Sequence, residues 1–274
     1  MSKQTVSKRV TAPSLRARKG AEKIVALTAY TAPMAQLLDP HCDLLLVGDS
    51  LGMVVHGLST TVGVTVEMMI LHGQAVMRGS TQALVAIDLP FGSYERSPEQ
   101  AFDTASRIMM ETGAQAVKVE AAEGVADSIA FLTGRGIPVI GHVGLRPQAV
   151  NLDGGFKARG RNDAERERVL AEARATDEAG AIAMVVEGVT PELAAEVTAA
   201  VGCPTIGIGA SSACDGQILV TEDMLGLFDW TPKFVRRYAD LRGAIEVGAA
   251  GYAADVRAAS FPGEAEEYRL GTRK

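Results

Sequence analysis

The sequence predicts an α/β fold, a (β/α)8 barrel of the TIM type, and three observations carry that prediction. Apolar runs of strand length alternate with segments of helical period, recurring about every thirty residues for about eight units. Several of these runs end on a polar, mostly ionisable residue, at the strand end where such barrels place their chemistry. Residues 43–47 lead to Asp49, 83–87 to Asp88, 116–117 to Lys118 and Glu120, 138–140 to His142, and 181–186 to Glu187. The length, 274 residues, suits one barrel. A doubly wound open sheet is the competing arrangement. Its dinucleotide fingerprint is missing, because Gly207-Ile208-Gly209 lacks the third glycine and a directly following helix.

Local signals justify each element in turn. Residues 11–20 read as a short basic helix with Pro13 near its start, placed to cap the bottom of the barrel. Strand one is 23–30, and the helix after it, 31–38, is stopped by Asp39-Pro40. Strand two is a continuous apolar run, the pattern of a strand buried on both faces. The stretch 51–64, with its glycines, His56 and Thr60-Thr61, is expected to be an active-site loop. Helix 65–78 has Glu67 in its first turn and Gly79 past its end. After strand three, Ser97-Pro98-Glu99 opens a helix by a serine cap, a first-turn proline and an acid, and the helix runs to Gly113. Strand four precedes a helix over 125–134. Strand five is 138–145, a second long loop is 146–160, and a charged helix is 162–180. Thr190-Pro191-Glu192 opens the helix after strand six, and Gly202 closes it. Strand seven is 204–210, strand eight is 217–220, and Thr221-Glu222-Asp223 starts a helix. The tail from Pro232 reads as helical. The chain 1–274 thus reads as one barrel domain with a core of about 23–230 and a C-terminal helical extension of about 231–269.

Composition narrows the function classes. A hydrophobic share of 47% against 22% charged supports a large core and argues against disorder. The net charge of −6 and pI near 5.4 argue against nucleic acid or an anionic membrane as partner. No apolar run approaches the ~20 residues that span a bilayer. Residues 1–9 are basic but lack a following apolar segment, so no secretory signal is expected. Cys42, Cys203 and Cys214 are an odd number without CxxC spacing, the pattern of reduced cytoplasmic thiols.

Asp49, Asp88 and Glu120 are three carboxylates on three strand ends. Packed together they repel one another unless a cation sits among them, and oxygen-only ligands suit Mg²⁺ or Mn²⁺. The alternative is that each caps a helix or pairs with a surface lysine. Lys118 lies two residues before Glu120, so both share a strand face. It either faces an anionic substrate or oxyanion, or pairs with Glu120 alone. Glu187, after six apolar residues, is a general base with a raised pKa or else a helix-capping acid. His142 donates to a substrate oxygen or is a core histidine. Ser50 and its amide follow Asp49 and suit a substrate carboxylate. His41, His56 and His72 receive no role.

A set of ordered motifs now carries a resemblance. Val47-Gly48-Asp49-Ser50-Leu51-Gly52, Asp88-Leu89-Pro90-Phe91, Val117-Lys118-Val119-Glu120, the run from Gly141 to Gln148, Gly154-Gly155-Phe156-Lys157, Val186-Glu187, Ile206-Gly207-Ile208-Gly209 and the run from Asp215 to Val220 appear in sequence. Together, over about residues 12 to 268, they resemble the ketopantoate hydroxymethyltransferase family of pantothenate and coenzyme A synthesis. The resemblance implies a barrel of the phosphoenolpyruvate/pyruvate-binding type holding one Mg²⁺ per subunit. It implies transfer of a one-carbon unit from the co-substrate 5,10-methylenetetrahydrofolate to 3-methyl-2-oxobutanoate, giving 2-dehydropantoate through a Mg²⁺-stabilised enolate. By motif, Asp49, Asp88 and Glu120 serve the metal, the last through water. Asp49, Ser50, Asp88 and Lys118 bind the oxo acid, Glu187 accepts the proton, and Lys118 and His142 assist at the substrate. The resemblance further implies a cytoplasmic homo-oligomer, often a decamer, with small-molecule substrates.

The chain departs from the family pattern at Ala121-Ala122, where two glycines are usual, at Thr31 in place of an acid, and at Ser211 in place of a glycine. None is a site residue. Two other functions remain in view: a folate-independent Mg²⁺-dependent oxo-acid lyase of the same barrel group, and a non-catalytic assembly subunit.

Overall fold

The computed structural model describes residues 9–268. Eight parallel strands close into a barrel in chain order. They are β1 (Ile24–Thr28), β2 (Leu44–Val47), β3 (Leu84–Asp88), β4 (Ala116–Glu120), β5 (Val139–Gly144), β6 (Ala183–Glu187), β7 (Thr205–Ile208) and β8 (Gly216–Leu219). The helices are α1 (Ala12–Arg16), α2 (Ala32–Leu38), α3 (Leu51–Val54), α4 (Val66–Gly79), α5 (Pro98–Thr112), α6 (Val125–Thr133), α7 (Val150–Asp153), α8 (Asp163–Glu178), α9 (Pro191–Ala200), α10 (Thr221–Met224) and α11 (Leu241–Arg257). By compactness the chain divides into one unit through Thr221 and a second from Glu222.

The alternation of side chains along each strand positions the site. One face of the strands fills the barrel interior with Ile24, Ala26, Leu44, Leu46, Leu84, Ala86, Ala116, Ile140, Ala183, Val185, Ile206 and Ile218. The other face, with Leu45, Val85, Val117, Val139 and Met184, packs under the helices. Continuing the interior series by two residues reaches Asp88 after Ala86, Lys118 and Glu120 after Ala116, His142 after Ile140 and Glu187 after Val185. Interior polar groups therefore cluster at one mouth of the barrel. The other end is closed by α1, whose Leu15 is fully buried in the interior cluster. Burying that side chain contributes about 1.5–3 kcal/mol. Thr11 and Ser14 form the capping box that starts α1.

The expected elements are present, with differences that have local causes. The stretch 51–64 is not a plain loop. It holds α3 and a short 3-10 turn at Thr61–Gly63, because Leu51 and Gly52 pack inward and Gly52 lies against Val64 with no room for a Cβ. The stretch 146–160 likewise holds a 3-10 turn at Pro147–Ala149 and then α7. Among the described residues the tail is helical only over α11. Pro232 has no N–H to give, its carbonyl is taken by the Val235 N–H in a turn, and Asp240 starts the helix by capping Gly243. The reading of residues 1–8 and of residue 269 falls outside the described residues. Among the described residues no helix is long and apolar enough to cross a membrane. Cys42, Cys203 and Cys214 are free and buried, and burial pushes the Cys42 and Cys203 thiols up to about 12.

Candidate active site

Asp49 follows β2 across Gly48, a position where a Cβ would lie 2.8 Å from Ser50 Oγ, so the chain can turn tightly into Asp49 and Ser50. Its backbone N–H donates to Asp88 Oδ2 at 3.0 Å. Asp88 Oδ1 lies 2.7 Å from Lys118 Nζ, both side chains nearly inaccessible. The register that sets Asp88 beside Lys118 and Glu120 beside His142 makes these groups neighbours across strands. Glu120 is 4.0 Å from His142 Nδ1, and His142 Nε2 is 3.5 Å from Glu187 Oε2. Ser50 Oγ shares a 2.8 Å hydrogen bond with Tyr30 Oη. The structure thus brings Asp49, Asp88, Lys118, Glu120, His142 and Glu187 to one mouth, with Ser50 at its edge.

The electrostatics of the cluster follow from burial and charge count. Burial, then the neighbouring Asp88, push the Asp49 carboxyl up to about 7. Burial and Asp49 hold Glu120 well above the usual carboxylate range. Burial pushes Glu187 up to about 8, with Lys118 working in the other direction. The Lys118 ammonium is raised, the acids Asp88, Asp49 and Glu120 outweighing burial, so it stays charged. Four carboxyl groups against one lysine leave room for a further cation.

His142 differs from its expected part. Its Nε2 lies 2.7 Å from the Leu145 carbonyl, which can only accept, so Nε2 carries the proton. Burial, then Lys118, hold the ring well below its usual pKa, so it is neutral and Nδ1 is a bare acceptor. Nδ1 is buried with no hydrogen-bond partner. In this state His142 offers the cavity an acceptor, not the donor expected. Glu187 is not the helix cap it could have been, because Thr190 caps α9 itself by accepting from Leu193 N. Gly144 has φ +97, and a Cβ there would lie 2.3 Å from the Glu187 carbonyl, so the strand pair that presents Glu187 depends on glycine.

Two further residues belong to the site that the sequence reading did not assign to it. Gln148 donates from Nε2 to Asp49 Oδ2 at 2.9 Å and to the Leu89 carbonyl at 2.9 Å, while its backbone N–H faces Glu120 Oε2 at 3.2 Å. Tyr94 Oη donates to Gln148 Oε1 at 2.6 Å and accepts from Glu120 N. Gln148 stands in a quoted motif, which was its one available clue. Tyr94 had none.

Among the described residues no three His, Cys, Asp or Glu side chains converge as a ready-made metal cage. The donor chemistry nevertheless fits Mg²⁺. That ion binds through one or two carboxylates and keeps several waters. Here Asp49 and Asp88 are adjacent, all donors are oxygens, and Asp49 is raised by burial and then by Asp88, a repulsion that an intervening cation would relieve.

Comparisons with known proteins agree with this fold. The profile of the ketopantoate hydroxymethyltransferase family matches residues 9–264. A 3-methyl-2-oxobutanoate hydroxymethyltransferase of Hyphomonas neptunium is 67% identical over 270 residues, covering 98% of each chain. Its counterpart from Phenylobacterium zucineum is 69% identical over 261 residues, covering 95% of each. Among solved structures, 2,3-dimethylmalate lyase, a member of the PEP mutase/isocitrate lyase superfamily, superposes with a TM-score of 0.60 at 18% identity, over 97% of this chain and 93% of that one. Phosphonopyruvate hydrolase in complex with oxalate and Mg²⁺ superposes with a TM-score of 0.59 at 13% identity, over 94% and 92%. At these identities the structural likeness shows a shared barrel fold.

Proposed function

Since the chain belongs to the ketopantoate hydroxymethyltransferase family, we propose that it transfers a one-carbon unit from 5,10-methylenetetrahydrofolate to 3-methyl-2-oxobutanoate, giving 2-dehydropantoate and tetrahydrofolate. The observation that carries the reading is the gathering of two kinds of group at one mouth. A raised acid, Glu187 on β6, shares it with the Asp88–Lys118 ion pair on β3 and β4.

In this reading Asp49, Asp88 and Glu120 would hold Mg²⁺, which when bound would supply positive charge that stabilises the enolate. Lys118 sets a second positive charge beside the oxygen on which enolate charge develops. Ser50, positioned by Tyr30, donates to the substrate carboxylate. Glu187 takes the C3 proton, and its pKa near 8 keeps enough proton affinity for that task. His142, its Nε2–H given to the Leu145 carbonyl and Nε2 lying 3.5 Å from Glu187 Oε2, packs beside the base and helps to position it. Overall, the C3–H bond breaks and C3 bonds to the donor's methylene carbon. The two bonds from that carbon to nitrogen break, one water supplies the hydroxyl, and the abstracted proton and the second water hydrogen end on the two nitrogens.

The coupled assay tests this reading against a folate-independent lyase. Turnover of 3-methyl-2-oxobutanoate should require methylenetetrahydrofolate, and turnover indifferent to the folate would overturn the proposal. The protein is further proposed to be cytoplasmic and to assemble as a homo-oligomer, a decamer in keeping with the family resemblance. No residue of α11 is buried, and Ile245, Val247, Tyr252 and Val256 are exposed along it. A second copy of the chain is the occupant proposed for that face. Light scattering at micromolar concentration should give an oligomer, and a stable active monomer would refute this.

A further inference from the structure

Beside the oxo-acid site lie two cavities that the mechanism above does not use. The inner one, about 290 Å³, reaches Glu120 and Gln148 and is walled by Phe91, Tyr94, Arg146 and Leu152. The outer one, about 800 Å³, opens between the start of α6 and the face of α8, past Gly124, Ala126, Arg168 and Ala171. Ala122, Arg146 and Leu152 line both, so the two are parts of one groove that runs from the catalytic carboxylates toward solvent. Its size is that of sites for drug-sized ligands, roughly 300–1,000 Å³.

Arg146 stands at the junction and is the feature that calls for a ligand. Its side chain is buried, 7% exposed, and its hydrogen bond is from Nη1 to the Ala121 carbonyl at 3.2 Å. No carboxylate lies within 4.0 Å of it among the described residues. A guanidinium has five N–H donors, and those that Arg146 does not give to Ala121 are open to the groove. At the mouths of the groove, Phe91 is 49% and Leu152 84% exposed, apolar surfaces that a flat ring would cover. The α6 N-terminus also faces the outer cavity with Gly124 at its cap and no capping side chain. Glu123 and Glu172 share that wall, and Glu172 is paired with Arg168 at 2.9 Å.

We propose that this groove is the seat of the one-carbon donor: its bicyclic ring occupies the inner cavity next to the substrate, Arg146 donates to one of its oxygens, and its aryl and glutamyl parts extend through the outer cavity. The assignment rests on the functional reading above and adds to it the place of the second substrate. It also gives the Ala121-Ala122 departure a setting, since Ala122 is part of the wall.

Ala171→Trp fills the outer cavity from an exposed position on α8, where added bulk leaves the core alone. Arg146→Gln removes the junction cation. In each variant the KM for methylenetetrahydrofolate and the Kd for tetrahydrofolate should rise at least tenfold. Exchange of the C3 hydrogen of 3-methyl-2-oxobutanoate with solvent deuterium, measured without folate, should stay within twofold of wild type for Ala171→Trp. Folate constants within twofold of wild type in both variants would overturn the groove assignment while the functional reading stands. Wild-type turnover that ignores the folate would instead remove the reading on which it rests.

Discussion

Asp39 and Asp49 flank the same strand and are equally buried, 4% and 5% exposed, yet their carboxyl groups are driven in opposite directions. Asp39 lies at the closed end of the barrel. Burial pushes its pKa up, but the Ala83 N–H, the Ser80 hydroxyl and the Thr81 and Gln82 N–H groups outweigh it, and the net shift is downward. Asp215, at the same end, behaves likewise, accepting from Thr205 N and Gly20 N and pairing with Lys19. Asp49, at the open end, meets other acids and rises to about 7. Loss of water contact is common to both ends, but Asp49 lies deeper in the protein, so burial raises it further. To that is added what each carboxylate meets: donors fill the lone pairs of Asp39 and Asp215, whereas Asp49 faces the neighbouring acid Asp88.

The largest test of the comparison is removal of the cation. If the mouth holds Mg²⁺, EDTA should abolish activity and Mg²⁺ should restore it. Asp49→Asn and Asp88→Asn should each weaken binding of the metal or of the oxo acid. Full activity in a rigorously metal-free sample would end the idea.

Next is the division of labour within the mouth. Glu187→Gln should bind Mg²⁺ and the oxo acid within roughly tenfold of wild type, about 1.4 kcal/mol. Its rate of C3 hydrogen exchange in D₂O should fall at least the ~10²-fold that a positioned base contributes. In wild type the exchange rate should rise with pH and level off above about 8, because the ionised form is the base. NMR of the substrate measures both, and wild-type exchange by a variant that binds normally would pass the role of base to another group.

The smallest effects lie in stability and set the two aspartates against each other. Asp39→Asn places an amide against a ring of N–H donors and should cost ~2 kcal/mol, a fall in Tm on the order of 5 °C. Asp49→Asn should leave the metal-free Tm at pH 8 equal or higher. The signs follow from linkage. The lowered pKa of Asp39 stabilises the fold above its unfolded value, and that stability is lost as pH falls through the folded value. Asp49 is raised, so its contribution is present at low pH and lost as pH rises from 3.8 toward about 7. Metal-free protein should therefore lose Tm between pH 5 and 8, and Mg²⁺ should restore more at pH 8 than at pH 5. Calorimetric scans that show Asp49→Asn less stable than wild type at pH 8 without metal would contradict the contrast.

Much of this was legible in the chain because it depends on local periodicity. Strands with continuous apolar runs must be buried on both faces, and a side-chain period of two then carries Ala86 to Asp88 and Ala116 to Lys118 and Glu120 on the interior face. Caps at Ser97 and Thr190 were visible as residue types and each is made in the structure; the cap made by Thr65 was not read from the sequence. The ordered motifs named the family. Other features needed the closed barrel. Gln148 and Tyr94 join the site through contacts with Asp49, Leu89 and Glu120, residues far from them in sequence. The tautomer of His142 is set by the Leu145 carbonyl, and its neutrality by burial near Lys118. The sequence marks Asp39 as a helix stop and Asp49 as a strand-end acid, but the opposite shifts of their carboxyl groups arise from depth and from which groups the barrel brings within reach. Hydrophobic period is a property of neighbouring residues along the chain. Hydrogen-bond geometry and pKa depend on distances between strands, which exist only once the sheet has closed.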